Sequence, residues 1–199
     1  MKPAHSNARI VYYTHPLCPV SWRMQENWQE FISTFGRLLS FKFCMATWKA
    51  EDENPGAGCK TAYVKACQAV KAASLQSQWA AHFYLDALRN AAMAEQRDIS
   101  QVNVLVDIAR EVSRTHRNVF DLQRFGEDFN SPATRRALHD DELKIRVNKV
   151  EHIPTITFTV DGKGIKATGL VTTEELKRML GRITMQVSAN RSPGESINR

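Results

Sequence analysis

RIVYYTHPLCPVSWRMQENWQEFISTFGRLLSFKFCM, residues 9–45, is the stretch whose pattern decides the fold. Arg9 to Thr14 is short and rich in β-branched and aromatic side chains (Ile10, Val11, Tyr12, Tyr13), which is strand composition. His15-Pro16 breaks that run. Pro19 then stands where proline is tolerated, in the first turn of a helix whose leading N–H groups have no partner in any case. Met24, Trp28, Phe31, Ile32 and Phe35 fall on one helical face, and Gly36 ends the pattern. Leu38 to Met45 alternates Leu39, Phe41 and Phe43 against Ser40, Lys42 and Cys44 and predicts a second strand. Two strands flanking one helix this closely predict a parallel βαβ unit.

Working outward, residues 46–58 contain Asn54-Pro55-Gly56 and Gly58 and read as a loop. Beyond it the pattern turns helical: Ala62, Ala66, Ala69, Val70 and Ala73, then Trp79, Phe83, Ala87 and Ala91, then Val102, Leu105, Val106, Ala109 and Val112 each mark one face. Val119 to Phe125 is a shorter helix candidate, and Ser131-Pro132 opens another running toward Val150. Strand character returns with Ile156, Phe158 and Val160 alternating with threonines. Asp161-Gly162 supplies a hairpin turn and Lys163 to Ala167 the return strand. Thr172 and Glu175 have capping-box spacing and open a last helix carrying Leu176, Met179, Leu180 and Ile183. The expected organisation is a disordered segment over 1–8, one α/β domain over 9–183 with a helical insertion over about 59–135, and a flexible polar tail over 184–199.

Composition bounds the function. The 199 residues are 43% hydrophobic and 24% charged, ordinary for a globular domain that buries a sizeable core. The net charge of +6 is spread among scattered lysines and arginines, without the clustered footprint that nucleic-acid binding needs, so no nucleic-acid partner is expected. No apolar run approaches the ~20 residues that cross a bilayer, and residues 1–9 lack the pattern of a secretory signal. The expected setting is therefore cytoplasmic, without a membrane partner. Cys18, Cys44, Cys59 and Cys67 form neither a C-x-x-C pair nor zinc-type spacing, so no metal site is expected and the thiols should be free in a reducing compartment.

The chemistry concentrates in HPLCPVSW, residues 15–22. A cysteine at or beside a helix N-cap sits among unpaired backbone N–H groups at the positive end of the helix dipole, which favours thiolate over thiol. Ser21, three residues on, is placed so that its hydroxyl can donate to the sulfur. Burial against Trp22 acts the other way, and many free cysteines are simply small buried hydrophobes. His15 reads as a solvated loop histidine with a lesser prospect of supplying charge or a proton. A second feature is Ile153-Pro154-Thr155, just before the late strand, where proline removes no ladder donor. Composition alone makes its peptide bond trans, since only about 5–6% of X-Pro bonds are cis.

Taken together, the Cys18-Pro19-Val20-Ser21 helix start, the βαβ unit, the helical insertion and Ile153-Pro154-Thr155 leading into a ββα unit resemble the DsbA-like thioredoxin-fold proteins over residues 9–183. The FrnE-like group is nearest, and Tyr63 to Leu75 (YVKACQAVKAASL) looks like its small-residue helix. The 2-hydroxychromene-2-carboxylate isomerases and kappa-class glutathione transferases are more distant. The resemblance implies a thioredoxin-like α/β fold, a cis Pro154 facing Cys18, and an Ile153 backbone that pairs with bound peptide or glutathione. It also implies a substrate surface including Pro19, Trp22 and His15. Dithiol relatives carry a second cysteine where this chain has Ser21, and serine cannot resolve a mixed disulfide. The expected activity is therefore monothiol: thiol-disulfide exchange or isomerisation through a mixed disulfide at Cys18, with protein thiols or disulfides as partners and glutathione as co-substrate. The alternatives are a non-enzymatic adaptor that keeps the peptide groove and a glutathione-dependent isomerase or transferase. Cys44 is expected in the core, and Cys59 and Cys67, two helical turns apart, are too distant to bridge.

Overall fold

The chain begins with β1 (Arg9–Thr14), α1 (Pro19–Arg23), α2 (Gln25–Phe35) and β2 (Ser40–Met45) in a computed structural model that describes residues 8–47 and 57–189. Five helices follow: α3 (Ala57–Gln76), α4 (Gln78–Met93), α5 (Val102–Thr115), α6 (Leu122–Phe129) and α7 (Pro132–Val147). The chain then returns through β3 (Thr155–Val160), β4 (Lys163–Thr168) and α8 (Thr173–Ala189). The four strands form one sheet in the order β2-β1-β3-β4. β1 and β2 are parallel with Tyr12 opposite Phe43, β1 and β3 are antiparallel with Tyr12 opposite Ile156, and β3 and β4 form an antiparallel hairpin.

The period-2 pattern sets both faces. Ile10, Tyr12, Phe41, Phe43, Ile156 and Phe158 enter the main core with Trp28 and Phe31 of α2 and Leu176 and Leu180 of α8. Tyr13 and Cys44 point the other way, into a smaller cluster with Ala46, Ile145 and Val150. Turn chemistry fixes the hairpin: Asp161 and Gly162 have φ of 46° and 79°, the paired left-handed conformation of a two-residue turn. The capping box at the last helix is reciprocal, with Thr172 N donating to Glu175 Oε2 (2.8 Å) and Glu175 N to Thr172 Oγ1 (3.3 Å).

Several expectations are corrected. The helix expected from Pro19 to Gly36 is two helices with Met24 between them, its N–H bonded back to Val20 O. Gly36 is required by close approach rather than by backbone conformation: its φ is −61°, and a Cβ there would lie 2.7 Å from Trp79 Cη2. The helical segment spans 57–147 rather than about 59–135, and the short helix is Leu122–Phe129, capped by Asp121, rather than Val119–Phe125. α8 continues to Ala189, past the expected start of a tail at 184, and Ala8 is buried at the base of β1. Residues 1–7, most of the expected 46–58 loop and 190–199 lie outside the described residues. Among the described residues no helix is long and apolar enough to cross a membrane.

Candidate functional site

β1 runs into the turn that begins α1, and this delivers Cys18 to the N-cap of that helix, directly after the strand that pairs with β3. Its backbone is extended (φ −79°, ψ 114°), and its Sγ accepts the backbone N–H of Ser21 at 3.4 Å. The sulfur thus takes the place of a capping oxygen, bonded to one of the N–H groups that the helix leaves unpaired. Across the gap, Sγ lies 3.9 Å from the carbonyl oxygen of Ile153, and the Ile153-Pro154 peptide bond is cis. The prolyl loop is pinned on its far side: Gly169 N donates to Pro154 O at 2.8 Å, and Thr155 Oγ1 donates to His152 O at 2.7 Å. Pro154 is buried and Ile153 half-buried, so the half that faces Cys18 keeps some access to solvent.

Accessibility separates the cysteines. Cys18 retains 9% exposure, whereas Cys44 and Cys67 retain 1% and 0%. Burial pushes both of those thiols strongly up, and Asp141 pushes in the same direction. Cys44 Sγ is also tied to Asp141 O at 3.4 Å. Both are core residues; the side chain of Cys59 lies outside the described residues.

Ser21 departs from expectation. Its hydroxyl was expected at the sulfur, but at this position in the first turn the backbone N–H faces the cap while the side chain turns inward. There Ser21 Oγ accepts from Thr14 Oγ1 at 2.8 Å, fully buried. His15 is not solvated. It is 6% exposed, its Nδ1 accepts from Leu17 N at 3.1 Å, and its ring meets Tyr63 edge-on. Burial, reinforced by Arg89, lowers its pKa to about 4, so near neutrality it carries neither charge nor a spare proton for the sulfur. Pro19 is exposed and Trp22 half-buried on the outer rim of the helix start. The structure therefore brings Cys18 against the Ile153-Pro154 bond, with exposed Pro19 and half-buried Trp22 on the same helix start and buried His15 and Ser21 flanking the sulfur's residue in sequence.

Thr14 and Arg89 were missed. Thr14 Oγ1, which donates to Ser21, accepts from Arg89 Nη2 at 2.5 Å. The signal for Arg89 was an arginine four residues after Leu85 and one after Leu88, on the apolar face of a helix.

A family model described as Thioredoxin matches residues 12–178. The curated relatives include the ClpXP adapter protein SpxH of Bacillus licheniformis, 26% identical over 191 residues (80% of this chain, 61% of that protein). They also include SpxH of Bacillus subtilis strain 168, 24% identical over 196 residues (80% and 62%). The chain thus spans about three-fifths of the length of these relatives. Among solved structures, cytosolic disulfide reductase DsbM from Pseudomonas aeruginosa superposes with a TM-score of 0.60 at 14% identity, covering 92% of this chain and 98% of that one. The oxidoreductase NmDsbA1 from N. meningitidis superposes at 0.62 and 12% identity, covering 94% and 86%. The likeness to these structures is one of fold at low identity, and with the family model matching most of its length this chain belongs to the thioredoxin family.

Proposed function

We propose that the protein exchanges disulfides as a monothiol, with Cys18 as nucleophile and the Ile153-Pro154 loop as the shelf for the incoming chain. The observation that carries this reading is the 3.9 Å separation between Cys18 Sγ, bonded to the helix start, and the carbonyl of Ile153. That carbonyl edge offers main-chain pairing to an extended peptide beside the sulfur. Cys18 thiolate attacks one sulfur of the substrate disulfide, the second sulfur leaves as thiolate and takes a proton from water, and a mixed disulfide remains. Ser21 cannot complete the cycle. An external thiol, glutathione being the one we favour, attacks the mixed disulfide and returns Cys18 as thiolate, so oxidation state is exchanged and not created. A reducing, cytoplasmic setting suits a site that depends on such a thiol.

A second reading is favoured by two observations: serine at position 21, and curated relatives that carry the name of an adapter. In it the same groove holds a partner protein for delivery to other machinery without turnover. One assay separates the two readings. With a glutathionylated peptide as substrate, the exchange reading expects turnover that requires glutathione and is abolished by Cys18→Ser, while Ser21→Cys without glutathione gives a single release per molecule and stops as an intramolecular disulfide. Binding without turnover in the presence of glutathione supports the adaptor, and turnover that survives Cys18→Ser overturns the nucleophile.

A further inference from the structure

Behind the sulfur lies a buried charge with no ion-pair contact among the described residues, although Asp86 feels its field. Arg89 of α4 is 0% exposed and, after Trp28, is the largest fully buried side chain. Its Cζ lies 5.6 Å from the centre of the Tyr12 ring, and its Nε and Nη1 have no hydrogen-bond partner among the described residues. No carboxylate among them pairs with it. An unpaired interior guanidinium is an unfavourable placement unless an anion forms nearby, so the identity of that anion is the question the structure poses.

The neighbours narrow the answer. On β1, the Tyr12 hydroxyl is buried, and burial raises its pKa, so it stays neutral. His15, in the turn after β1, is neutral by burial and by the Arg89 charge itself. On α4, burial lowers His82 and raises Asp86; the Asp86 carboxyl is taken by Gln29 at 2.8 Å and faces His82 at 3.5 Å. Asp86 feels the Arg89 charge without an ion-pair contact, whereas a bonded path leads from Arg89 to the thiol of Cys18. Arg89 Nη2 donates to Thr14 Oγ1, Thr14 Oγ1 to Ser21 Oγ, and Ser21 N to Cys18 Sγ, at 2.5, 2.8 and 3.4 Å.

We propose that Arg89 is the positioning residue of this site: through Thr14 and Ser21 its buried charge holds the Cys18 sulfur as thiolate and fixes the helix start to which that sulfur is bonded. This rests on the reading of Cys18 as nucleophile. It also gives Ser21 a role of its own, since the position that carries a second sulfur in dithiol relatives here carries the link between cation and nucleophile.

The test is the pH profile of Cys18 alkylation by iodoacetamide, resolved peptide by peptide by mass spectrometry on the folded full chain. Arg89→Met is expected to move the midpoint upward by about one pH unit or more, which slows labelling on the acid side about tenfold. Arg89→Lys, which keeps the charge, stays closer to the parent protein. Thr14→Val keeps the charge, breaks the bonded path and shifts the profile upward by less. A merely structural role would lower the melting temperature and leave the profile in place, so an Arg89→Met profile superimposed on the parent overturns the proposal. Should Arg89→Met not fold, Thr14→Val decides, and its coincidence with the parent is equally fatal. A parent protein whose Cys18 labels like an ordinary free thiol overturns both this proposal and the nucleophile, whereas a reactive parent with an unmoved Arg89→Met removes only the role of Arg89.

Discussion

His15 sits under the first turn of α1 with Nδ1 accepting from Leu17 N and Nε2 without a partner. Its proton affinity is low in the fold, about pH 4 against an ordinary 6.5, chiefly because burial disfavours the imidazolium. The unfolded chain therefore binds a proton near pH 6.5 that the folded chain refuses until about pH 4. Stability from this residue is complete above 6.5 and is lost as pH falls through that window. The loss amounts to about 3 kcal/mol at most. Urea unfolding at pH 7.5 and pH 4.5 measures it. His15→Asn, whose side-chain oxygen can still accept from Leu17 N, is expected to flatten the pH dependence by a large part of that amount. His82 is also lowered by burial and contributes in the same direction, so the slope should shrink and not vanish.

The outer border of β2 is closed by side chains from three different helices. Gln78 of α4 accepts from Phe41 N (3.1 Å) and donates to Leu39 O (3.2 Å). Lys71 of α3 donates to Phe43 O (3.2 Å), and Asp141 of α7 accepts from Met45 N (2.9 Å). Lys71 and Asp141 also form a buried ion pair at 2.7 Å. Asp141→Ala strands the ammonium and the Met45 N–H together, and by the usual scale of a broken buried pair it should cost about 3–5 kcal/mol. Removing both partners as Lys71→Met with Asp141→Leu should cost clearly less, which denaturant titration of the two variants checks. The sequence showed the elements better than these ties. The βαβ unit, the Asp161-Gly162 hairpin and the Thr172 box were legible because each is a local pattern of period or turn chemistry. The break at Met24 was not, because Met24 and Trp28 keep helical spacing across it. Lys71, Arg89 and Asp141 were not either, because a charged residue in a helix reads as solvent-facing until its long-range partner is known.

At the scale of the whole molecule, the five helices between β2 and β3 form no separate accessory. Three of them, α3, α4 and α7, close one border of the sheet, and α4 supplies the cation behind Cys18. Cys18 and Pro154 could be paired from sequence only through a family resemblance, because Cys18 and Ile153 stand 135 positions apart and no spacing rule spans that distance. Packing also orders the thiols. In the native protein Cys18 should alkylate while Cys44 and Cys67 stay unlabelled, and all three should react once the chain is unfolded in urea. Peptide-resolved labelling before and after unfolding checks this, and native labelling of Cys67 would contradict the packing of α3.

Strand β4 makes the opposite border of the sheet, and none of its six residues is buried. Among the described residues, β4 is therefore the border of this sheet left open to main-chain pairing with another strand. A β4 strand of a second copy added there would end the sheet's growth. Growth into a filament needs a second open border on every copy, and Gln78, Lys71 and Asp141 have already taken it.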